Sequence, residues 1–466
     1  MNPSVFRAYD IRGVADRDLD DEFVRALGAT LGTRVLRGGG QAIALGRDCR
    51  LHSPRLHAAL LDGLLATGVR VLDIGIVPSP LLYFAVHHLG CGSGVVITGS
   101  HNPASDNGFK IVLHGHRLHG DELTGLLPQL TSRDFVHGQG ERQSLDILGP
   151  YLQFVRQALR LGSRRPSLVV DAGNGTGGAV AVPLLQSLGF PVVPLFCEMD
   201  GRFPNRPPDP TEPQNLQALS AAVAAHDAEL GLAFDGDADR LAVVDRQGRI
   251  LWGDELLILL GRAILSEQPG ARFVCEVKCS RAVIDELTAA GGQVIMWRVG
   301  HSELLAKMRE VGAALAGEMS GHLFFAHRYL GYDDAIYAAA RLLEILSHDG
   351  RPLSAHVDNL PSLHRTPELR IAVPESEKGA LVARIAAVLQ TWPGIEVNAL
   401  DGVRVHWPDA WALVRASNTQ AALVLRFEAE SAERLAAVRA QVMEVVQAAR
   451  TSPPDRRPSA PRSPSP

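Results

Sequence analysis

At 466 residues, with 46% hydrophobic and 21% charged residues, the chain has the composition of a soluble globular protein too long for one core. Its formal net charge of -5 offers no footprint for nucleic acid. The longest run free of Asp, Glu, Lys and Arg, Ile74 to Ser105, is interrupted by Pro78, Pro80 and His87-His88, so a membrane span is not expected.

Five scattered cysteines (Cys49, Cys91, Cys197, Cys275 and Cys279) lack CxxC spacing. The odd count and this spacing argue against a disulfide framework and a zinc site, and reduced, mostly buried thiols are expected. The opening MNPSVFRAYDIRG has no apolar signal region, and a cytoplasmic location is expected.

In chain order, residues 21–36 carry helical apolar spacing and QAIALGRD reads as a strand ending in a polar turn. Residues 54–67 form a helix and VRVLDIGIV a strand. GVVITGS and FKIVL are further strands around the loop HNPASDNG, with Asp106-Asn107-Gly108 the expected turn between them. A second unit opens near 147: SLVVDAGNGTGG is a strand and Gly-rich turn, AVAVPLLQSLG a helix, and ELGLAFDGDADRLAVVDRQGRIL strand, loop, strand and hairpin. In a third, helices 254–266, 281–290 and 302–310 alternate with RFVCEVK and QVIMWRV and lead to ALAGEMSGH.

These three units share one pattern, an apolar strand delivering a polar loop, and a threefold structural repeat is expected. A smaller unit follows, with strands LRIAV, GVRVHW, WALVRAS and AALVLRFEA and helices 375–390 and 431–449. The expected domains are 1–146, 147–250, 251–361 and 362–450. Residues 451–466, rich in Pro, Ser and Arg, are an expected disordered tail.

Four segments carry chemistry. Thr98-Gly99-Ser100-His101-Asn102-Pro103 sets a serine just past a buried strand on a proline-stopped loop. That suits a nucleophile or phosphate carrier, and equally an ordinary turn. If the flanking strands pair, Lys110 lies back alongside the serine, where an ammonium can neutralise phosphate and pass a proton.

Asp235, Asp237 and Asp239 alternate with Gly236 and Ala238. Three such carboxylates repel unless a cation sits among them, and all-oxygen ligation selects Mg²⁺ or Mn²⁺. An EF-hand is excluded, because its glycine position would hold Arg240 and its glutamate position Arg246. Gly317-Glu318-Met319-Ser320-Gly321-His322 offers a carboxylate and a hydroxyl suited to neighbouring sugar hydroxyls, a weak signal alone. Arg415-Ala416-Ser417-Asn418-Thr419 is either a phosphate clamp or a plain polar turn.

A rival reading rests on Gly173-x-Gly175-x-x-Gly178, which follows a strand and opens a helix, with Glu198 twenty residues past Gly178. That spacing fits a dinucleotide-dependent oxidoreductase. It leaves Ser100 and the aspartates without a role.

Taken together, residues 5 to 450 resemble the α-D-phosphohexomutase family, whose serine, metal, sugar and phosphate loops occur here in order, with FRAYDIRG and VGHS matching further segments. The resemblance implies three similar mixed α/β domains and a smaller C-terminal α+β domain of TATA-binding-protein type, in a heart-shaped molecule with a central cleft. It implies a phosphoserine at Ser100 and one Mg²⁺ held by Asp235, Asp237, Asp239 and a phosphoserine oxygen. Arg12, His101, Lys110 and Arg240 would surround the phosphoserine, with Lys110 as general acid/base, and Lys278 and His301 would line the third domain's side. Glu318, Ser320 and His322 belong to the sugar loop, Arg415, Ser417, Asn418 and Thr419 to the phosphate clamp, and Tyr9 would lie near the substrate.

The implied activity interconverts hexose 1- and 6-phosphates through a hexose 1,6-bisphosphate. GEMSGH and RASNT are similar to the phosphomannomutase/phosphoglucomutase branch, with phosphoglucosamine mutase the alternative. A monomer acting on small sugar phosphates, with no nucleic-acid or membrane partner, is expected. Gly99, Ala238 and Gln420 depart from the family's common Ala, Gly and Thr.

Overall fold

The computed structural model describes residues 2–361, 363–418 and 420–451. The chain divides after Leu360 into two compact units.

The first unit holds three sheets built to one plan. In each, the first strand pairs in parallel with the second and the third, the third runs antiparallel to the fourth, and a flanking strand adds antiparallel to the fourth. The first four strands are Ala42–Arg47, Arg70–Ile76, Gly94–Ile97 and Asp106–Leu113 in one sheet. They are Leu168–Asp171, Val192–Leu195, Leu230–Phe234 and Leu241–Asp245 in the next. In the third they are Arg272–Glu276, Gln293–Trp297, Leu315–Gly317 and Leu323–Phe325.

Ser53–Leu65, Gly178–Ser187 and Arg281–Ala289 link first strands to second strands. Ser79–His88, Gln217–Ala225 and His301–Val311 link second strands to third. The central strands are apolar runs buried on both faces, as parallel strands under two helical layers require. The expected threefold repeat is therefore present. It places the serine, metal and sugar loops at one topological position, the connection from third to fourth strand. This lies at the carboxyl end of the parallel strands, where open α/β sheets put their sites.

One turn is corrected. Asp106-Asn107-Gly108 is strand, not turn: Ile11–Val14, a strand absent from the sequence reading, pairs with residues 106–109. A Cβ on Gly108 would lie 2.3 Å from the Ile11 carbonyl oxygen, so glycine serves close strand approach there. The reversal comes earlier, closed by Asn102 N–H to Gly99 O (3.0 Å) and Asp106 N–H to Pro103 O (3.0 Å).

In the second unit, an antiparallel sheet of six strands carries helices Lys378–Leu389 and Ala432–Thr451 over an apolar core that includes Ile385, Leu425 and Val442. The expected tail, apart from Thr451 at the end of the last helix, lies outside the described residues. Among the described residues no helix is long and apolar enough to cross a membrane. All five cysteines are free, Cys275 and Cys279 buried and the other three half-buried.

Candidate active site

Ser100 sits at φ 47° and is 3% exposed. Its Oγ lies 2.9 Å from Asp235 Oδ2 and 3.1 Å from His101 Nδ1. A left-handed non-glycine residue is held only where its surroundings over-determine it, and here they do. Arg50 donates to the carbonyls of Ser100 (2.7 Å), Asn102 (2.6 Å), Pro103 (2.5 Å) and Asp106 (2.9 Å). Its guanidinium is fixed in turn by Asp48 at 3.3 Å and by the Phe203 ring at 4.8 Å. Gly99 is explained by the same side chain, since a Cβ there would fall 2.6 Å from Arg50 Cζ.

The three aspartates are fully buried, and their carboxylate oxygens lie within 4.8 Å of one another. Burial, then Asp237 and Asp239, push the Asp235 pKa well above the carboxylate range. Asp235 Oδ1 accepts from the backbone N–H of Asp239 (3.0 Å) and Arg240 (3.1 Å), which folds the loop around it. Asp237 Oδ2 accepts from Ser79 Oγ (2.5 Å) at the start of a helix. Asp237 Oδ1 and Asp239 Oδ1 are buried without hydrogen-bond partners. Orphaned carboxylate oxygens in a buried site fit a hard cation, and the donor set is all oxygen.

Lys110 stands opposite Val96 in the strand pair, as expected from pairing of the two strands. Its ammonium, however, donates to Asp237 (2.6 Å) and Asp239 (2.5 Å), while Ser100 Oγ is partnered by Asp235 and His101. Burial opposes the lysine's charge, but Asp237 and Asp239 outweigh it and carry its pKa well above the ordinary value. Arg12 donates to Asn102 Oδ1 (2.7 Å) and Asp10 (2.5 Å), which holds it at the serine loop. For His101, burial and then the Arg240 and Arg12 guanidiniums keep the pKa well below the usual histidine value. A neutral imidazole results.

The sugar loop closes on the metal loop's strand. Gly321 (φ 93°) accepts from Leu241 N–H (3.1 Å), and a Cβ on Gly321 would meet the Leu241 oxygen at 2.3 Å. Glu318 accepts from Gly300 N–H (3.0 Å) and Ser320 Oγ (2.9 Å). His322 Nε2 accepts from Arg240 Nε (3.0 Å), so its Nδ1 carries the proton and faces Asp333 at 3.1 Å. Tyr9 Oη donates to Val299 O (2.8 Å), and its ring lies 5.2 Å from that of His301. Lys278 is buried, 3.6 Å from Glu276, in the turn after the third sheet's first strand.

In the second unit, Arg415 Nε lies 3.1 Å from Asp401, and its Nη2 is buried with no hydrogen-bond partner among the described residues. Ser417 Oγ accepts from Gln420 N–H (3.1 Å), and Asn418 is exposed. Thr419 lies outside the described residues. Lys378, which donates to Ser417 O (2.6 Å), and Arg370, on Gln420 Oε1 (2.7 Å), add two cations that sequence reading missed. They come from elements some 40 and 50 residues upstream, beyond any local pattern.

The glycine motif does not present an anion site. A Cβ on Gly175 would fall 2.4 Å from the Gly236 oxygen, and Thr176 N–H donates to that oxygen at 3.0 Å. The space a pyrophosphate would need is filled by the metal loop.

Three loops converging on a buried serine and its carboxylates define a phosphoryl-transfer centre, and the comparisons agree. Residues 3–136, 149–248 and 252–364 match alpha/beta/alpha domains I, II and III of phosphoglucomutase/phosphomannomutase, and 368–445 match its C-terminal domain. The chain belongs to the phosphoglucomutase/phosphomannomutase family.

Among its relatives, the phosphomannomutase/phosphoglucomutase of Pseudomonas aeruginosa is 46% identical over 93% of each chain. The phosphoglucomutase of Neisseria gonorrhoeae is 45% identical over 92% of this chain and 93% of its own. A crystal structure of a phosphoglucomutase/phosphomannomutase family protein from Burkholderia thailandensis aligns with TM-score 0.91 and 43% identity, covering 97% of this chain and 98% of that one.

Proposed function

We propose that the chain interconverts hexose 1-phosphates and hexose 6-phosphates of mannose and glucose, through a phosphoserine at Ser100 and a hexose 1,6-bisphosphate. The observation that carries this reading is the Ser100 hydroxyl, 2.9 Å from Asp235 within the buried carboxylate cluster. The relatives' names support the choice of sugars.

Asp235, Asp237, Asp239 and a phosphoserine oxygen would hold Mg²⁺, which would supply charge neutralisation to the transferring phosphoryl group. In the forward half-reaction, the bond between Ser100 Oγ and phosphorus breaks and a bond from the sugar O6 to phosphorus forms. The O6 proton passes to a base, for which the neutral His101 imidazole is on hand, and Ser100 Oγ takes up a proton as it leaves, which the Lys110 ammonium can supply as general acid. Arg12 and Arg240 neutralise phosphate charge. The bisphosphate then turns end over end and returns its other phosphate to Ser100.

Glu318, Ser320 and His322, with Tyr9, Lys278 and His301 near the sugar, would meet hydroxyls in either orientation. Arg415, Ser417, Asn418 and Thr419 would hold the phosphate that is not reacting. The protein acts as a monomer on small sugar phosphates in the cytoplasm.

The test is a parallel assay of mannose 1-phosphate, glucose 1-phosphate and glucosamine 1-phosphate with Mg²⁺ and trace hexose 1,6-bisphosphate. Comparable turnover of the first two, abolished by Ser100→Ala, is expected. A dominant glucosamine rate would move the specificity, and full activity of Ser100→Ala would sink the phosphoserine.

A further inference from the structure

The first unit contains a cavity of about 320 Å³ that no step above uses. Val112, near the far end of the strand that begins at the serine loop, and Gly115, just past it, line one wall. Val112 stands six strand positions past Asp106, so roughly 20 Å of sheet separates this wall from the serine loop. Tyr83, Tyr332, Leu305 and Leu330 make its body apolar and partly aromatic.

Two guanidiniums, Arg117 and Arg309, face this cavity. Arg117 is neutralised by Asp333, at 2.6 Å. Arg309 has no acidic partner among the described residues; the partial burial of its guanidinium and then the charge of Arg117 lower its pKa. The cavity thus carries one uncompensated positive charge beside an apolar body, the pattern of a pocket for a small anion.

Arg117 also begins a contiguous chain of polar contacts to the reaction centre. It holds Asp333 Oδ1, Asp333 Oδ2 faces His322 Nδ1 at 3.1 Å, and His322 Nε2 accepts from Arg240 at 3.0 Å. The Tyr83 ring, 4.0 Å beneath Arg117, also packs against this chain's first member. An anion drawing on Arg117 competes with Asp333 for its guanidinium. It would therefore bind differently to the engaged and released states of the chain, which is the condition for coupling two sites.

We propose that this cavity binds a small organic anion with an apolar or planar body, its head between Arg309 and Arg117, and that occupancy lowers turnover at the Ser100 centre. The coupling rests on the mutase reading above; the binding does not.

Phenyl phosphate is the probe. It is titrated calorimetrically into the full chain with saturating glucose 6-phosphate filling the sugar-phosphate site, beside inorganic phosphate. Expected are a binding heat that survives glucose 6-phosphate, at least tenfold weaker binding of inorganic phosphate, and at least tenfold weaker phenyl phosphate binding in Arg309→Glu. Arg309 is exposed, and the variant keeps wild-type basal turnover. Saturating phenyl phosphate should lower kcat at least twofold in the wild type and not in Arg309→Glu, with KM unchanged.

Heat abolished by glucose 6-phosphate, or unchanged in Arg309→Glu, overturns the site. Equal affinity for inorganic phosphate overturns the apolar body, and unchanged kcat under measured binding overturns the coupling. A chain with no mutase turnover at all would refute the proposed function, while the heats would still decide the site.

Discussion

The turn after the first strand supports the reactive loop by opposite means in the first two sheets. In the first, it supplies a large cation: Arg50 reaches across and gathers four carbonyls of the serine loop. In the second, it supplies an absence of side chain: Gly175 lets the metal loop lie directly on its backbone. One topology therefore supports a loop either by filling the gap or by closing it. A glycine motif at this place signals close packing as readily as it signals a nucleotide.

Exchanging these devices tests the comparison, and Arg50→Lys should have the largest effect. An ammonium cannot meet four carbonyls in a plane, and buried acceptors are left unmet. Turnover should fall at least a hundredfold, and denaturant unfolding should show a loss of roughly 3–5 kcal/mol, the scale for breaking a buried charged pair. Retention of wild-type turnover would mean that Arg50 serves the fold alone.

Gly175→Ala comes next, because its Cβ must displace the Gly236 carbonyl. Overpacking of this kind costs about 1–3 kcal/mol. The Mg²⁺ concentration for half-maximal activity should rise at least tenfold, as read from a metal titration.

Gly99→Ala should be milder, because two of the three atoms its Cβ meets belong to the Arg50 side chain, the third being the Asp106 carbonyl oxygen at 2.8 Å, whereas Gly175 meets backbone alone. About a tenfold drop in kcat with KM unchanged is expected. The loss should shrink but persist in an Arg50→Met background, where the clash with the guanidinium is gone and that with the Asp106 oxygen stays.

Ala238→Gly should have the smallest effect. Ala238 lies at φ 53°, a region that costs an alanine about 1 kcal/mol or more. Glycine removes that strain but gains freedom in the unfolded chain, so a net stabilisation of up to about 1 kcal/mol is expected in thermal unfolding.

Much of this was legible in the sequence because each reactive loop is polar and each flanking strand is an apolar run. Ser100, the three aspartates and the Glu318 loop stand out by contrast with their neighbours. Arg50, Ser79, Arg117 and Asp333 do not: an arginine in a polar turn or a serine before a proline reads as solvated. Their partners lie 50 to 216 residues away. The misplaced turn at Asp106-Asn107-Gly108 has the same origin. A local signal was overridden by a strand at residues 11–14, whose pairing no window around residue 106 contains.

The long reach of these pairings has a consequence for synthesis. Lys110 emerges from the ribosome 127 residues before Asp237, and Arg117 emerges 216 before Asp333. At roughly 5–20 residues per second, the first sheet waits on the order of ten seconds or more for the acids that neutralise its buried cations. Until then those side chains must stay hydrated, because an unpaired charge is costly to bury. The last step in maturing the first sheet is thus set by the arrival of the second and third, and a stall between residues 117 and 333 should leave it open to proteases.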